Sequence, residues 1–172
     1  MTQHRWAPYD AWMDEPLRLA QACLPHGDVP VGAVVCDADG VVIGTGHNVR
    51  ERDGDPAGHA EIVALRAAAR TRNDTGAGRH DIDDDSRPSW RLDGCTLVVT
   101  LEPCVMCTGA LIQSRVDRVV FGAWDDKAGA CGSVWDLARD RASLHRVEVV
   151  SGVREAECAA LLREFFRTRR EP

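Results

Sequence analysis

Two short runs hold residues whose types and spacing suit chemistry: His59-Ala60-Glu61 and Pro103-Cys104-Val105-Met106-Cys107. Two cysteines three apart in the first turn of a helix project to the same side, and the free amide groups there favour their thiolate forms. His59 adds a nitrogen, giving Zn²⁺ three protein ligands and leaving the fourth tetrahedral position to water. Zinc lowers the pKa of such a water so that hydroxide is available at neutral pH. Glu61, two residues beyond His59, can then handle the water's proton without being a ligand. A hydroxide nucleophile beside a carboxylate proton shuttle is what hydrolytic removal of an aromatic amino group requires. Each run is weak alone, with a chance expectation of about 0.3; both together, with Pro103 before the first cysteine, fall to roughly 0.005. The competing reading is a closed structural zinc site. That needs a fourth ligand, and the chain has no second Cys-x-x-Cys.

These residues have to be brought together by the elements around them. Met13, Leu17, Ala20 and Leu24 recur at helical spacing, which predicts an amphipathic helix over about 10–25. Residues 31–36 and 41–45 are β-rich runs around Asp37-Ala38-Asp39-Gly40, the pattern of an antiparallel hairpin. A second helix spans 58–70, opening at His59. A buried strand covers 96–101, and Pro103 suits the first residue of a helix reaching about Gln113. Strands at 116–122 and 146–150 and a closing helix at 155–167 complete the pattern. Strands alternating with helices after an initial hairpin imply an α/β fold, a three-layer α/β/α sandwich on a five-stranded mixed sheet. Residues 71–93 are polar and carry Asp81, Asp83, Asp84 and Asp85, which reads as a surface insertion.

Length and composition agree with that plan. The 172 residues make one domain, and 44% hydrophobic with 28% charged residues exclude disorder, collagen-like repeats and a coiled-coil rod. The longest apolar runs are about six residues, against the roughly 20 that a membrane span needs. No secretory signal is expected, because no apolar core follows the charged N-terminal residues. A net charge of −6 argues against a non-specific nucleic-acid binder but allows one local basic face. Seven cysteines, an odd number, suit free thiols in a reducing cytoplasm.

His-Ala-Glu followed by Pro-Cys-Val-Met-Cys resembles the zinc-dependent nucleoside and nucleobase deaminases. Asp28-Val29-Pro30-Val31-Gly32-Ala33-Val34, Gly46-His47-Asn48, Leu101 to Cys107, Arg118 to Ala123 and Glu157 to Leu162 narrow the likeness to the bacterial tRNA-specific adenosine deaminases, as does the ending Phe165 to Arg170. The resemblance covers nearly the whole chain outside 71–93. It implies conversion of adenosine to inosine at the wobble position of a tRNA anticodon, with an arginine isoacceptor bearing an ACG anticodon as the precedent. It also implies zinc on His59, Cys104 and Cys107, and Glu61 as the proton shuttle. Asn48 would hydrogen-bond the flipped base, Val31 would line the apolar wall against it, and Asp125 would meet the ribose-phosphate chain. Phe165, Phe166, Arg167, Arg169 and Arg170 would embrace the anticodon loop, aromatics stacking and arginines meeting phosphates. A homodimer whose partner completes part of the RNA surface follows from the same likeness. Trp124, before Asp125, and Ala57-Gly58, before His59, depart from the family pattern. The alternatives are a free-base deaminase acting on guanine or cytosine, which has no need of an arginine-bearing C-terminal helix, and a non-catalytic zinc-stabilised RNA-binding module, which has no need of Glu61.

Overall fold

Asp37 turns the first hairpin. Its carboxylate accepts the backbone N–H of Asp39 at 3.0 Å and of Val41 at 2.9 Å, while Gly40 takes the left-handed conformation at φ 81°. The flanking strands are β1 (Gly32–Cys36) and β2 (Val42–His47), paired antiparallel. With β3 (Thr96–Leu101), β4 (Arg118–Ala123) and β5 (Glu148–Ser151) they form one sheet in the order β2-β1-β3-β4-β5. β1 is antiparallel to both neighbours, whereas β3, β4 and β5 run parallel. The computed structural model describes residues 7–76 and 88–169, with the side chains of residues 7 and 8 left aside.

Side chains alternate across the sheet and build two cores. Ala33, Val35, Leu97, Val99, Val119 and Phe121 face one way, against α4 (Ala60–Thr75) and α5 (Val105–Gln113). Val34, Cys36, Val98, Val120 and Val150 face the other way, against Met13, α2 (Asp14–Gln21) and α6 (Glu155–Thr168). This is the three-layer sandwich with a five-stranded mixed sheet. Among the described residues two further short α-helices occur, α1 (Ala7–Asp10) ahead of α2 and α3 (Arg50–Asp53) between β2 and α4.

The seating of α4 matters most for the site. A Cβ on Gly46 would lie 2.3 Å from the carbonyl oxygen of Ala60, and one on Gly44 would lie 2.5 Å from that of Ala64. Ala60, Ala64 and Ala68 form the helix stripe that meets these glycines, so α4 lies against β2 with backbone nearly touching backbone.

Several boundaries differ from those the sequence suggests. The expected helix over 10–25 is broken by tight turns at Ala11–Met13 and Leu24–His26. α4 runs on to Thr75 and ends at Gly76, so part of the stretch 71–93 is helix. It is held there by Arg72 donating to the Asp93 carbonyl at 3.0 Å and by paired Asn73–Ser89 hydrogen bonds of 3.0 and 2.7 Å. Leu92 is 1% exposed and belongs to the core. Helix and core packing therefore reach into 71–93 from both ends; the acidic run lies outside the described residues. Pro103 is not the first residue of α5. Its carbonyl instead accepts the N–H of Ala130 at 2.8 Å, and Cys104 caps the helix in an extended conformation. Among the described residues, no helix is long and apolar enough to cross a membrane.

Candidate metal centre and its pocket

His59 and Cys104 occupy equivalent positions, each the extended residue that caps the N-terminus of a helix, α4 and α5 respectively. Both helices pack on the same face of the sheet, and Cys107 lies in the first turn of α5. The His59 nitrogen and the two sulfurs lie within 4.8 Å of one another. His59 Nδ1 stands 3.7 Å from Cys104 Sγ and 3.5 Å from Cys107 Sγ. Tetrahedral zinc with ordinary Zn–N and Zn–S bonds spaces such donors at about 3.6 Å. The donor set fits a zinc ion with one position left open: two sulfurs, one imidazole nitrogen, and no fourth donor grouped with them among the described residues.

The protonation of the trio fits as well. Cys104 is held down to about 4, first by the hydrogen bond from the Cys107 thiol and also by that from His59. Cys107 is pushed up because its proton is shared with Cys104, and His59 is raised by its hydrogen bond to Cys104. The surroundings of Cys104 thus favour the thiolate form, the form that binds a metal cation. Glu61, in the first turn of α4, is 4% exposed, and burial raises its carboxyl to about 7. Such a group can take and return a proton near neutrality.

A cavity of about 170 Å³ opens over this centre, lined by Val31, Asn48, His59, Glu61 and Cys104 among others. Asn48 is buried and bridges the two sides of the site. Its Oδ1 accepts the N–H of Ala60 at 3.2 Å, and its Nδ2 donates to the Val29 carbonyl at 3.1 Å. One N–H and one lone pair of the amide are left for a ligand.

Of the remaining residues singled out by sequence, Arg169 lines this cavity. On α6, Phe165 is buried and Phe166 is exposed, the two rings meeting edge to face at 5.3 Å. Arg169 lies over Phe165 at 4.5 Å, donates to the Gly27 carbonyl and lines the cavity. Arg167 pairs with Glu164 at 2.8 Å, and Arg170 lies outside the described residues. Asp125 is not among the lining residues; its carboxylate accepts the N–H of Lys127 at 3.0 Å and of Ala128 at 3.3 Å.

Two buried carboxylates among the lining residues were not assigned roles from sequence. Asp28 is buried and accepts the N–H groups of Glu51 and Arg52 at 2.7 and 3.2 Å, anchoring α3 and with it Arg50 at the cavity wall. Glu102 is buried one residue before Pro103-Cys104. The available signal for both was a carboxylate beside a strand made of otherwise apolar residues.

Fold and centre together define a zinc-binding deaminase. Residues 7–123 match the cytidine and deoxycytidylate deaminase zinc-binding region, and residues 85–170 match the MafB19-like deaminases. The chain is 39% identical to a tRNA-specific adenosine deaminase of Bacillus subtilis, over 94% of this chain and 91% of that protein. It is 46% identical to a tRNA(Ile)-lysidine synthase of Deinococcus radiodurans over 92% of this chain, but spans only 25% of that protein's length. Among solved structures, one from a study of A-to-I editing by tRNA:A34 deaminases superposes with a TM-score of 0.74 at 34% identity, covering 88% of this chain and 99% of the other. A guanine deaminase from Nitrosomonas europaea superposes with a TM-score of 0.65 at 31% identity, covering 91% and 83%. The chain belongs to the cytidine and deoxycytidylate deaminase zinc-binding family and, within it, to the tRNA-specific adenosine deaminases.

Proposed function

We propose that this protein hydrolytically deaminates adenosine to inosine at the wobble position of a tRNA anticodon. The observation that carries the reading is the open three-donor centre of His59, Cys104 and Cys107 with buried Glu61 beside it, in a chain of this family. His59, Cys104 and Cys107 hold the metal. Zinc, when bound, supplies a hydroxide nucleophile at neutral pH. Glu61 carries one proton of the attacking water to N1 of the base as the C6–O bond forms. It then carries the second from the C6 hydroxyl to the amino group, so that the C6–N bond breaks and ammonia leaves. Its raised carboxyl lets one group act first as base and then as acid. Asn48 orients the base with its remaining N–H and lone pair, and Val31 supplies the apolar wall. The cavity suits one flat base taken out of its stack, not a large ligand.

The RNA approach is read as follows. Asp125 meets the ribose-phosphate chain, and Phe166, Arg167 and Arg170 with Arg169 face the anticodon loop, Phe165 supporting Arg169 from beneath. An arginine tRNA with an ACG anticodon is the proposed substrate. The chain is read as a single domain over 1–172 with an insertion within 71–93, acting in the cytoplasm. A homodimer is proposed because Val105, Met106, Trp124, Val134 and Trp135 leave apolar side chains exposed on α5 and the loop that meets it. Incubating zinc-loaded protein with an ACG-anticodon tRNA, then sequencing the cDNA, should show guanosine replacing adenosine at the wobble position only. No change at that position would remove the reading.

The N. europaea guanine deaminase likeness keeps one second reading, a free-base deaminase with the same zinc chemistry. Arg169 speaks against it, since an arginine at the cavity rim serves a substrate that carries phosphates.

A further inference from the structure

The chain leaving β4 runs through a long loop, 124–136, with little regular structure of its own, before it reaches β5. Three of its backbone N–H groups converge on one side chain. Glu102 Oε2 accepts the N–H of Asp125 at 3.1 Å, and Oε1 accepts those of Cys131 at 2.9 Å and Ser133 at 3.1 Å. Glu102 is 2% exposed and lines the cavity. The fit is close: a Cβ on Gly129 would lie 2.3 Å from Oε2. Ser133 adds a second tie, its hydroxyl donating to the Asp125 carbonyl at 2.8 Å. The same loop is fastened to the metal-binding strand end by the Cys104–Gly129 bridge and by the Ala130 N–H to the Pro103 carbonyl.

A buried carboxylate is costly, and an apolar residue would pack a loop more cheaply. What a carboxylate provides is acceptors only, enough to take all three N–H groups at once with charge-assisted strength. It does so at the residue that leads into Pro103-Cys104. The loop and the metal ligand are therefore referenced to one side chain.

We propose that Glu102 is a positioning residue that holds the loop 124–136, and Asp125 in particular, in register with the metal centre, so that the polynucleotide chain and the target base are engaged together. The inference rests on the tRNA reading above. Both carboxylate oxygens of Glu102 are engaged by loop N–H groups, so it acts through the loop. Its effect should fall on the affinity for the anticodon stem-loop.

The test is E102Q in the zinc-loaded protein. Glutamine keeps the shape but turns an N–H donor toward at least one loop N–H. In the silent E61Q background, E102Q should weaken binding of an anticodon stem-loop by roughly tenfold, the scale of one lost charge-assisted hydrogen bond. Zinc content should stay at one per chain. In the Glu61-containing protein the loss should appear as a raised KM, with kcat falling far less. S133A, which removes only the Asp125 tie, should shift KM the same way by a smaller factor, and it carries the test if E102Q does not fold. If the parent binds the stem-loop and both variants bind it equally well, or if E102Q instead loses zinc while S133A is silent, the assignment is overturned and the tRNA reading stands. A parent that ignores the stem-loop but deaminates free guanine overturns the tRNA reading and this assignment together.

Discussion

Glu61 shares the first turn of α4 with the His59 cap, and its carboxyl is lifted to about 7 by burial. That raised value gives it the capacity to accept and return a proton during one turnover. Glutamine at this position keeps the shape and all three metal donors. E61Q should therefore hold one zinc per chain and melt within a few degrees of the parent, while deamination falls at least 100-fold. Metal analysis beside a single-turnover assay checks this; near-normal turnover by a metal-replete E61Q would show that another group moves the proton. At this scale the grouping of His59, Cys104 and Cys107 was the most legible feature, because the residues within each run lie at short, fixed offsets. The roles of Asp28 and Glu102 were not readable, since their partners are backbone N–H groups 23 to 31 residues away along the chain. No spacing rule reports such pairs.

At the scale of elements, the glycine–alanine contact between β2 and α4 sets where His59 and Glu61 stand. G46A places a methyl 2.3 Å from the Ala60 carbonyl oxygen, against a helix with no flexible side chain to yield. The variant should lose about 1–3 kcal/mol of stability, the usual cost of overpacking a tight core. Because Ala60 directly follows His59, zinc affinity should fall as well. Thermal unfolding and competition with a chelator measure the two effects; a variant that matches the parent in both would show that α4 is free to shift. Strand alternation and the alanine-rich helix made most of this layer legible from sequence. α3 was not, because Arg-Glu-Arg-Asp has no apolar period, and its place depends on Asp28 capping it from another element. The end of α4 was hidden for a similar reason. Arg-Thr-Arg-Asn-Asp-Thr has no apolar stripe, and the turn is held by hydrogen bonds to Ser89 and Asp93.

Across the whole molecule, a net charge of −6 has to be reconciled with an anionic substrate. Basic groups at the C-terminal end of α6, with Arg169 at the cavity rim, offer the local exception that steering needs. The proposed dimer would cover the apolar side chains that a lone protomer exposes. Trp135 is 48% exposed, and W135E would set a carboxylate in such an interface. Sedimentation should then show a monomer that retains zinc. A W135E protein with the parent's mass in solution would place the interface elsewhere, or remove it.

The central claim is that the metal centre serves a base within an anticodon and not a free base. It is tested most directly by comparing kcat/KM of the zinc-loaded protein for an ACG anticodon stem-loop and for free guanine, with E61Q as the blank. The expected result is wobble-specific inosine formation with a kcat/KM for the stem-loop at least 100-fold above that for guanine, because phosphate and base contacts add to the transition state's stabilisation. Brisk guanine turnover without inosine in the stem-loop would contradict it.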